Sequence, residues 1–126
     1  MNINYPVGDF LIRLKNARMA KLKTVSVPST KLMKATADAL EASGFLRDVT
    51  LADGTLEVNL VYKKKEPVIM DVKLVSKPGL RIYMNVDQLE KRRKPSILIL
   101  STPKGVMSSK KALKERVGGE VIAEIL

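Results

Sequence analysis

A chain of 126 residues, 45% of them hydrophobic, can bury a core as one domain or two closely packed halves but leaves no room for a large enclosed active site. It has neither histidine nor cysteine, which excludes disulfides, Cys–His zinc sites, His-based triads and nucleophilic catalysis by Cys or His. Its 23 Lys and Arg against 13 Asp and Glu leave a formal charge of +10, so the surface attracts a polyanion: nucleic acid, an anionic membrane face or an acidic protein.

The first element expected is a helix. Asn4 can cap it, and Pro6 suits its first turn, where no N–H is needed. Val7, Phe10, Leu11 and Leu14 recur at helical spacing. Arg13, Lys15, Asn16 and Arg18 make a basic flank, either an ordinary solvated face or a face laid on phosphates. Thr24 to Val27 alternate as a short strand ended by Pro28. Ser29 is placed to cap a second helix, Thr30 to Ser43, with Leu32, Ala35, Ala39 and Leu40 on its buried side and Gly44 as its stop. Phe45 and Leu46 lead into another strand. Asp53-Gly54 signals a hairpin, and Leu56, Val58, Leu60 and Tyr62 then alternate.

Lys63-Lys64-Lys65 ends that rhythm and Pro67 follows, so the boundary between units is expected there, giving 1–65 and 66–126. Val68 to Val75 reads as a strand and Ser76-Lys77-Pro78-Gly79 as a turn. Leu80, Ile82 and Met84 alternate with Arg81, Tyr83 and Asn85, and Asp87 to Glu90 fits one helical turn. Lys91-Arg92-Arg93-Lys94 is the densest positive charge, suited to phosphate contact or solvation. Ile97 to Leu100 reads as the most buried strand. The polar loop Ser101–Gly105 follows it, then a short helix, Gly118-Gly119, and a closing strand from Val121 to Leu126. The fold class is α+β: an N-terminal βαβ-like unit with a preceding helix, packed against a β-rich C-terminal unit with one short helix.

Little here suits catalysis. The patterns GxxxxGK[ST] and GxGxxG are missing, and Gly118-Gly119 lies at the wrong end of its helix to cradle a phosphate. The carboxylates are scattered, with no DxD or ExxE pairing for a metal or a glycosidase pair. A Ser101–Lys104 catalytic pair is conceivable chemistry without a companion motif. No cofactor or metal is expected. Nucleic acid explains more: the hydroxyls of Ser101, Thr102 and Ser108 sit near Lys104, Lys110, Lys111, Lys114 and Arg116, and Gly105 permits close approach. RNA offers 2′-hydroxyls in a shallow minor groove to such small groups, and DNA stays open. Aromatics at 4% do not make a stacking platform. The rival is a basic module that meets acidic proteins without specific RNA binding. No apolar run approaches the roughly 20 residues of a membrane span, and the N-terminus lacks the order of a signal peptide, so a soluble intracellular protein is expected.

The segment STPKGVMSSKKA followed by RVGGEVIAEIL resembles the C-terminal signature of the bacterial-type ribosomal protein S8 family. PVGDFLIRLKNA, VPSTKL, Gly44-Phe45 and SKPGLRIY match it in the same order, so the resemblance covers nearly the whole chain. It implies a non-enzymatic protein of the small ribosomal subunit, cytoplasmic or in an organellar ribosome. Such a protein binds the central domain of the small-subunit ribosomal RNA and sits beside neighbours such as the S5 protein. In many bacteria it also binds its own messenger RNA. Carried over, the main RNA grip falls on Ser101, Thr102, Pro103, Lys104 and Gly105, with Ser101–Gly105 as the specificity element. Arg81 and Tyr83 accompany it, with Ser108 at the helix start and Gly118, Gly119 and Glu120 before the last strand. Arg13, Asn16 and Ala17 match in the first helix and Lys31 at the start of the second, and Arg92 and Arg93 join the RNA-binding set through their charge. The chain departs from the family pattern at Tyr5 and Lys111, both usually acidic, and at Pro103, usually serine. It departs also at Lys94-Pro95-Ser96, where a glycine-rich approach is usual, and in lacking an aromatic near the end.

Overall fold

A computed structural model describes residues 5–126. The Asn4 cap expected for the first helix lies outside these residues. Helix α1 (Pro6–Met19) opens on Pro6, and Tyr5 holds the N-cap position without a side-chain cap. The helix buries Val7, Phe10, Leu11, Leu14 and Ala17. Strand β1 (Thr24–Pro28) turns Val25 and Val27 to the same core. Helix α2 (Lys31–Ala42) is capped by Thr30, not Ser29: Thr30 Oγ1 accepts from Met33 N at 3.2 Å, while Ser29 Oγ donates to the Thr30 carbonyl. Its buried face also differs from expectation. Met33, Thr36, Ala37, Ala39 and Leu40 turn inward, and Leu32 is 40% exposed. Thr36 can enter the core because its hydroxyl donates to Leu32 O at 2.8 Å, so no polar atom is stranded.

Strands β2 (Leu46–Ala52) and β3 (Thr55–Leu60) form the expected hairpin, with Asp53 and Gly54 at φ of 50° and 75°, as a type I′ turn requires. The sheet runs β1-β3-β2 with both neighbours antiparallel to β3. β1 and β2 are therefore parallel to each other and joined by α2, a split βαβ unit. Strands β4 (Tyr62–Lys63) and β5 (Glu66–Pro67) pair next, so Lys64 and Lys65 are themselves a tight turn, both at positive φ.

The strand expected from Val68 to Val75 shrinks to β6 (Val72–Leu74). The N–H groups of Met70 and Asp71 both donate to Leu126 O, at 2.6 and 3.2 Å, which bends this segment across the chain's last residue. Pro78-Gly79 turns the chain with Gly79 at φ 85°, and Lys77 and Leu80 exchange backbone bonds across it. The alternation after it gives only β7 (Tyr83–Met84), since Leu80 and Ile82 stay exposed. Helix α3 (Val86–Lys91), β8 (Ile97–Thr102), β9 (Gly105–Ser108), α4 (Ser109–Glu115) and β10 (Gly119–Ile125) complete the chain. The strand-to-helix junction read from the sequence thus contains an extra strand, β9, and the polar loop is the tip of a β8–β9 hairpin. Among the described residues no helix is long and apolar enough to cross a membrane.

The second sheet runs β6-β10-β8-β9, with β7 also paired to β10. β8 is buried on both faces, which explains its unbroken apolar run. Leu98 and Leu100 pack with Leu89, Met107, Ala112 and Val121, and Ile99 enters the larger core beside Phe10, Leu40 and Val58. A bulge at Ile122 keeps Val121 opposite Leu100 while Ala123 meets Ile99, so consecutive residues of β10 serve both cores. At its start β10 comes unusually close to its neighbours. A Cβ on Gly119 would be driven into the Ser101 carbonyl, and one on Gly118 into the Met84 carbonyl and within 2.7 Å of Asn85 Cα. Both obstacles are backbone and cannot swing aside. Gly119→Ala should therefore cost roughly 1 to 3 kcal/mol, read as a lower urea midpoint. Gly105→Ala, where φ is 116° but the Cβ position is open, should cost about 1 kcal/mol, the strain alone. Equal midpoints for the two variants would show that the close approach is not a constraint.

Candidate nucleic-acid interface

The hairpin tip is built from Thr102, Pro103, Lys104 and Gly105, with Thr102 paired to Gly105. Pro103 holds φ negative, which rules out the primed two-residue turns that match strand twist. Gly105, at φ 116°, supplies the positive φ instead, as the glycine of a G1 bulge does. Thr102 Oγ1 donates to Gly105 O at 2.7 Å and accepts from Lys104 N at 3.1 Å. The Thr102 proton is thereby committed to shaping the turn. Ser101 is different. It is half-buried, and within the described residues no hydrogen bond engages its hydroxyl. Lys104 is exposed, its Nζ a loose 3.8 Å from Glu115.

Strand register brings distant residues into one row. Glu120 sits opposite Ser101 on one side and opposite Tyr83 on the other. Residues directly opposed in antiparallel strands share a face, so Tyr83, Glu120 and Ser101 stand side by side. Arg81 joins them through a 3.1 Å ion pair from Nη1 to Glu120. Its guanidinium carbon also lies 5.4 Å from the centre of the Tyr5 ring. Tyr83 is 65% exposed, and an open groove beside it is lined by Asn85, Ser101, Pro103, Gly118 and Gly119. Sequence reasoning missed Asn85. It caps α3 in a reciprocal capping box with Gln88, at 2.9 and 2.8 Å, a signal legible in the N-x-x-Q spacing. It missed Ser109 as well, whose buried Oγ accepts from Leu98 N at 3.2 Å and ties α4 to β8. No local pattern announces that bond.

The remaining candidates lie elsewhere or serve the fold. Arg13 and Asn16 are exposed on α1, and Lys31 borders a different shallow groove with Leu51. Ser108 caps α4 by accepting from Lys111 N at 3.2 Å, as its place at the helix start implied. Gly118 and Gly119 have a packing reason to be glycine. Arg93 is exposed, with Nη1 donating to Glu90 O at 2.8 Å. Arg92 departs from the expectation of a solvated or phosphate-bound side chain. It is 14% exposed and donates to Ser96 O at 2.7 Å, to Ser96 Oγ, and to Glu124 at 3.1 Å. The cause is the end of β10, which delivers a carboxylate to the arginine.

The hydrogen bond from Ser96 is the main reason the Glu124 carboxyl lies below its usual pKa, aided by the charges of Lys94 and Arg92 and opposed by desolvation. A depressed folded pKa means that this contribution is full above the ordinary glutamate value, about 4.3, and is lost as pH falls through the folded value. Glu124→Gln removes the titration. Urea unfolding followed from about pH 7 to pH 3 should show a shallower acid loss for this variant than for the parent. Parallel curves would place the acid sensitivity elsewhere.

Comparison with known proteins agrees with this architecture along the whole described chain. The model of the family Ribosomal protein S8 matches residues 5–126. The small ribosomal subunit protein uS8 of Roseiflexus castenholzii is 43% identical over 131 aligned residues, covering 99% of each chain. Its counterpart in Chloroflexus aggregans is 41% identical, again over 99% of each chain. That of Nitratidesulfovibrio vulgaris is 40% identical over 95% of this chain and 96% of its own. With a family match from Tyr5 to Leu126 and relatives this similar over nearly their full length, the chain belongs to the ribosomal protein S8 family.

Proposed function

We propose that the protein binds the central domain of the small-subunit ribosomal RNA through the β8–β9 tip and the Tyr83–Glu120–Ser101 row, and supports assembly of the small subunit. Membership of the ribosomal protein S8 family carries the coarser statement: a non-catalytic, structural role in binding ribosomal RNA among other ribosomal proteins. The observation that carries this reading is Ser101, a half-buried residue whose hydroxyl has no hydrogen-bond partner among the described residues, on a strand held by β10. Such a group suits a 2′-hydroxyl or a base edge in a shallow minor groove. Lys104, Arg13 and Arg93 suit phosphates, which position an RNA without discriminating sequence. On this reading residues 66–126 form the RNA-binding unit and 1–65 its scaffold, with S5 as a neighbouring protein. A messenger RNA segment of similar shape would occupy the same surface. The setting is the ribosome of a cytoplasm or an organelle.

Filter binding to a central-domain hairpin and an unrelated hairpin tests the reading. Ser101→Ala should weaken the first about 5- to 150-fold, the equivalent of roughly 1 to 3 kcal/mol, leave the second nearly unchanged, and melt like the parent. Thr102→Val should also lower the melting temperature, because it opens the turn. Full-strength binding by Ser101→Ala would show that the tip is not the reader. Failure of the parent to prefer the central-domain hairpin, with no co-sedimentation with small subunits through a high-salt wash, would favour a basic protein-interaction module instead.

The two adjacent arginines should separate. Arg93→Gln should weaken both hairpins by similar factors and flatten the salt dependence by about 0.7 to 0.9 in log–log slope, one phosphate's worth. Arg92→Gln removes the guanidinium paired with Glu124 and should instead lower stability with the slope intact. Urea melts beside a salt series check both, and a flattened slope for Arg92→Gln would return it to the RNA surface.

A further inference from the structure

Tyr5 makes three contacts that meet at one point. Its hydroxyl donates to Ser76 O at 3.2 Å. Its ring faces the Arg81 guanidinium, 5.4 Å from centroid to Cζ. Beneath the ring lies Gly8, where a Cβ would overlap Tyr5 Cδ2 and come within 2.8 Å of Cε2. The anchor is itself rigid. Ser76 is fully buried, and its Oγ accepts from Ile82 N at 2.9 Å and donates to Ile82 O at 3.2 Å, one residue beyond Arg81. The first turn of α1 is thereby fastened to the segment that leads into the Tyr83–Glu120–Ser101 row, 71 residues further along the chain.

Arg81 is held from two directions. The guanidinium carbon lies over the Tyr5 ring, and Nη1 donates to Glu120 at 3.1 Å. The side chain nevertheless remains 44% exposed. A guanidinium has five N–H donors in a planar fork, so one ion pair leaves an edge for a further acceptor. Held this way, the arginine gives up rotamer freedom on folding and not on binding.

We propose that Tyr5 is a positioning residue for RNA recognition, holding Arg81 so that its free guanidinium edge meets a phosphate or ribose oxygen of an RNA seated beside Tyr83. This rests on the RNA-binding reading of that row. Tyr5 does not touch the RNA; it acts through Arg81.

The test compares Tyr5→Phe with Tyr5→Leu in the full chain, both against the central-domain hairpin, with melts run beside the binding. Both variants fill the space over Gly8, and only phenylalanine keeps an aromatic face. Tyr5→Phe should bind within about twofold of the parent. Tyr5→Leu should weaken binding about two- to fivefold, the fold-change of one exposed cation–π contact. In an Arg81→Gln background, Tyr5→Leu should cause no further loss, because its effect passes through the guanidinium. A residue that merely staples the fold would weaken binding equally with or without Arg81. Equal binding by Tyr5→Leu and the parent, or an additive double variant, overturns the proposal while leaving the function standing. A parent that does not prefer the hairpin overturns both.

Discussion

The close approach of Gly119 to the Ser101 carbonyl is the constraint on which the second sheet depends. β10 holds β8 on one edge and both β6 and β7 on the other, so every pairing in the sheet except β8–β9 runs through it. A side chain at Gly119 would push β8 away at the point where Ser101 must face Glu120. A slip of one residue would turn Glu120 to the opposite face and empty the row. The bulge at Ile122 completes the arrangement, because it lets polar Glu120 precede three consecutive buried residues, Val121, Ile122 and Ala123. Packing and the proposed interface thus rest on the same strand.

β10 also organises the charge. Glu120 opposes Ser101 and Glu124 opposes Leu98, and those partners lie on opposite faces of β8. Each carboxylate therefore emerges on its own side, and each takes an arginine: Arg81 from before β7, Arg92 from after α3. The chain's +10 is consequently not all available to a polyanion. Arg92 and Arg93 are neighbours in the densest basic run, yet one is nearly buried and the other faces solvent. Charge density along a sequence reports what a segment could attract. Which cations remain free depends on where acidic residues from distant strands arrive.

That distinction also explains what could be read from the sequence. Local chemistry was legible wherever local chemistry decides: Pro6 in the first turn, Asp53-Gly54 and Pro78-Gly79 in their turns, and Ser108 at the start of α4. The apolar run Ile97–Leu100 announced a buried strand, and the α+β class and the S8 family followed. The errors fall where a distant partner decides. Val68 to Val75 has the composition of a strand, but Leu126 takes the N–H groups of Met70 and Asp71. Leu32 and Met33 are equally apolar, and the sheet beneath α2 chooses between them. Ser101 and Thr102 are adjacent hydroxyl residues, and only the hairpin, with an extra strand no motif announced, commits one of them to the turn. Tyr83, Ser101 and Glu120 were each candidates from the sequence, but their meeting in one row is a product of register.

In the proposed complex, such a row has an advantage that an enclosed pocket lacks. A duplex RNA presents its minor groove as a broad, shallow surface, so recognition by shape needs rigid protrusions more than depth. Ser101 cannot move without breaking the β8–β10 ladder, and the tip beyond it is closed by the Thr102 bonds and the Gly105 backbone. Ordering costs at these positions are met during folding, and selectivity can come from hydroxyls with little rotational freedom. The exposed lysines and arginines contribute the complementary, salt-dependent attraction and need no fixed geometry to do so. On this proposal the chemistry is divided accordingly: flexible cations would supply affinity, and a fixed strand end would supply discrimination.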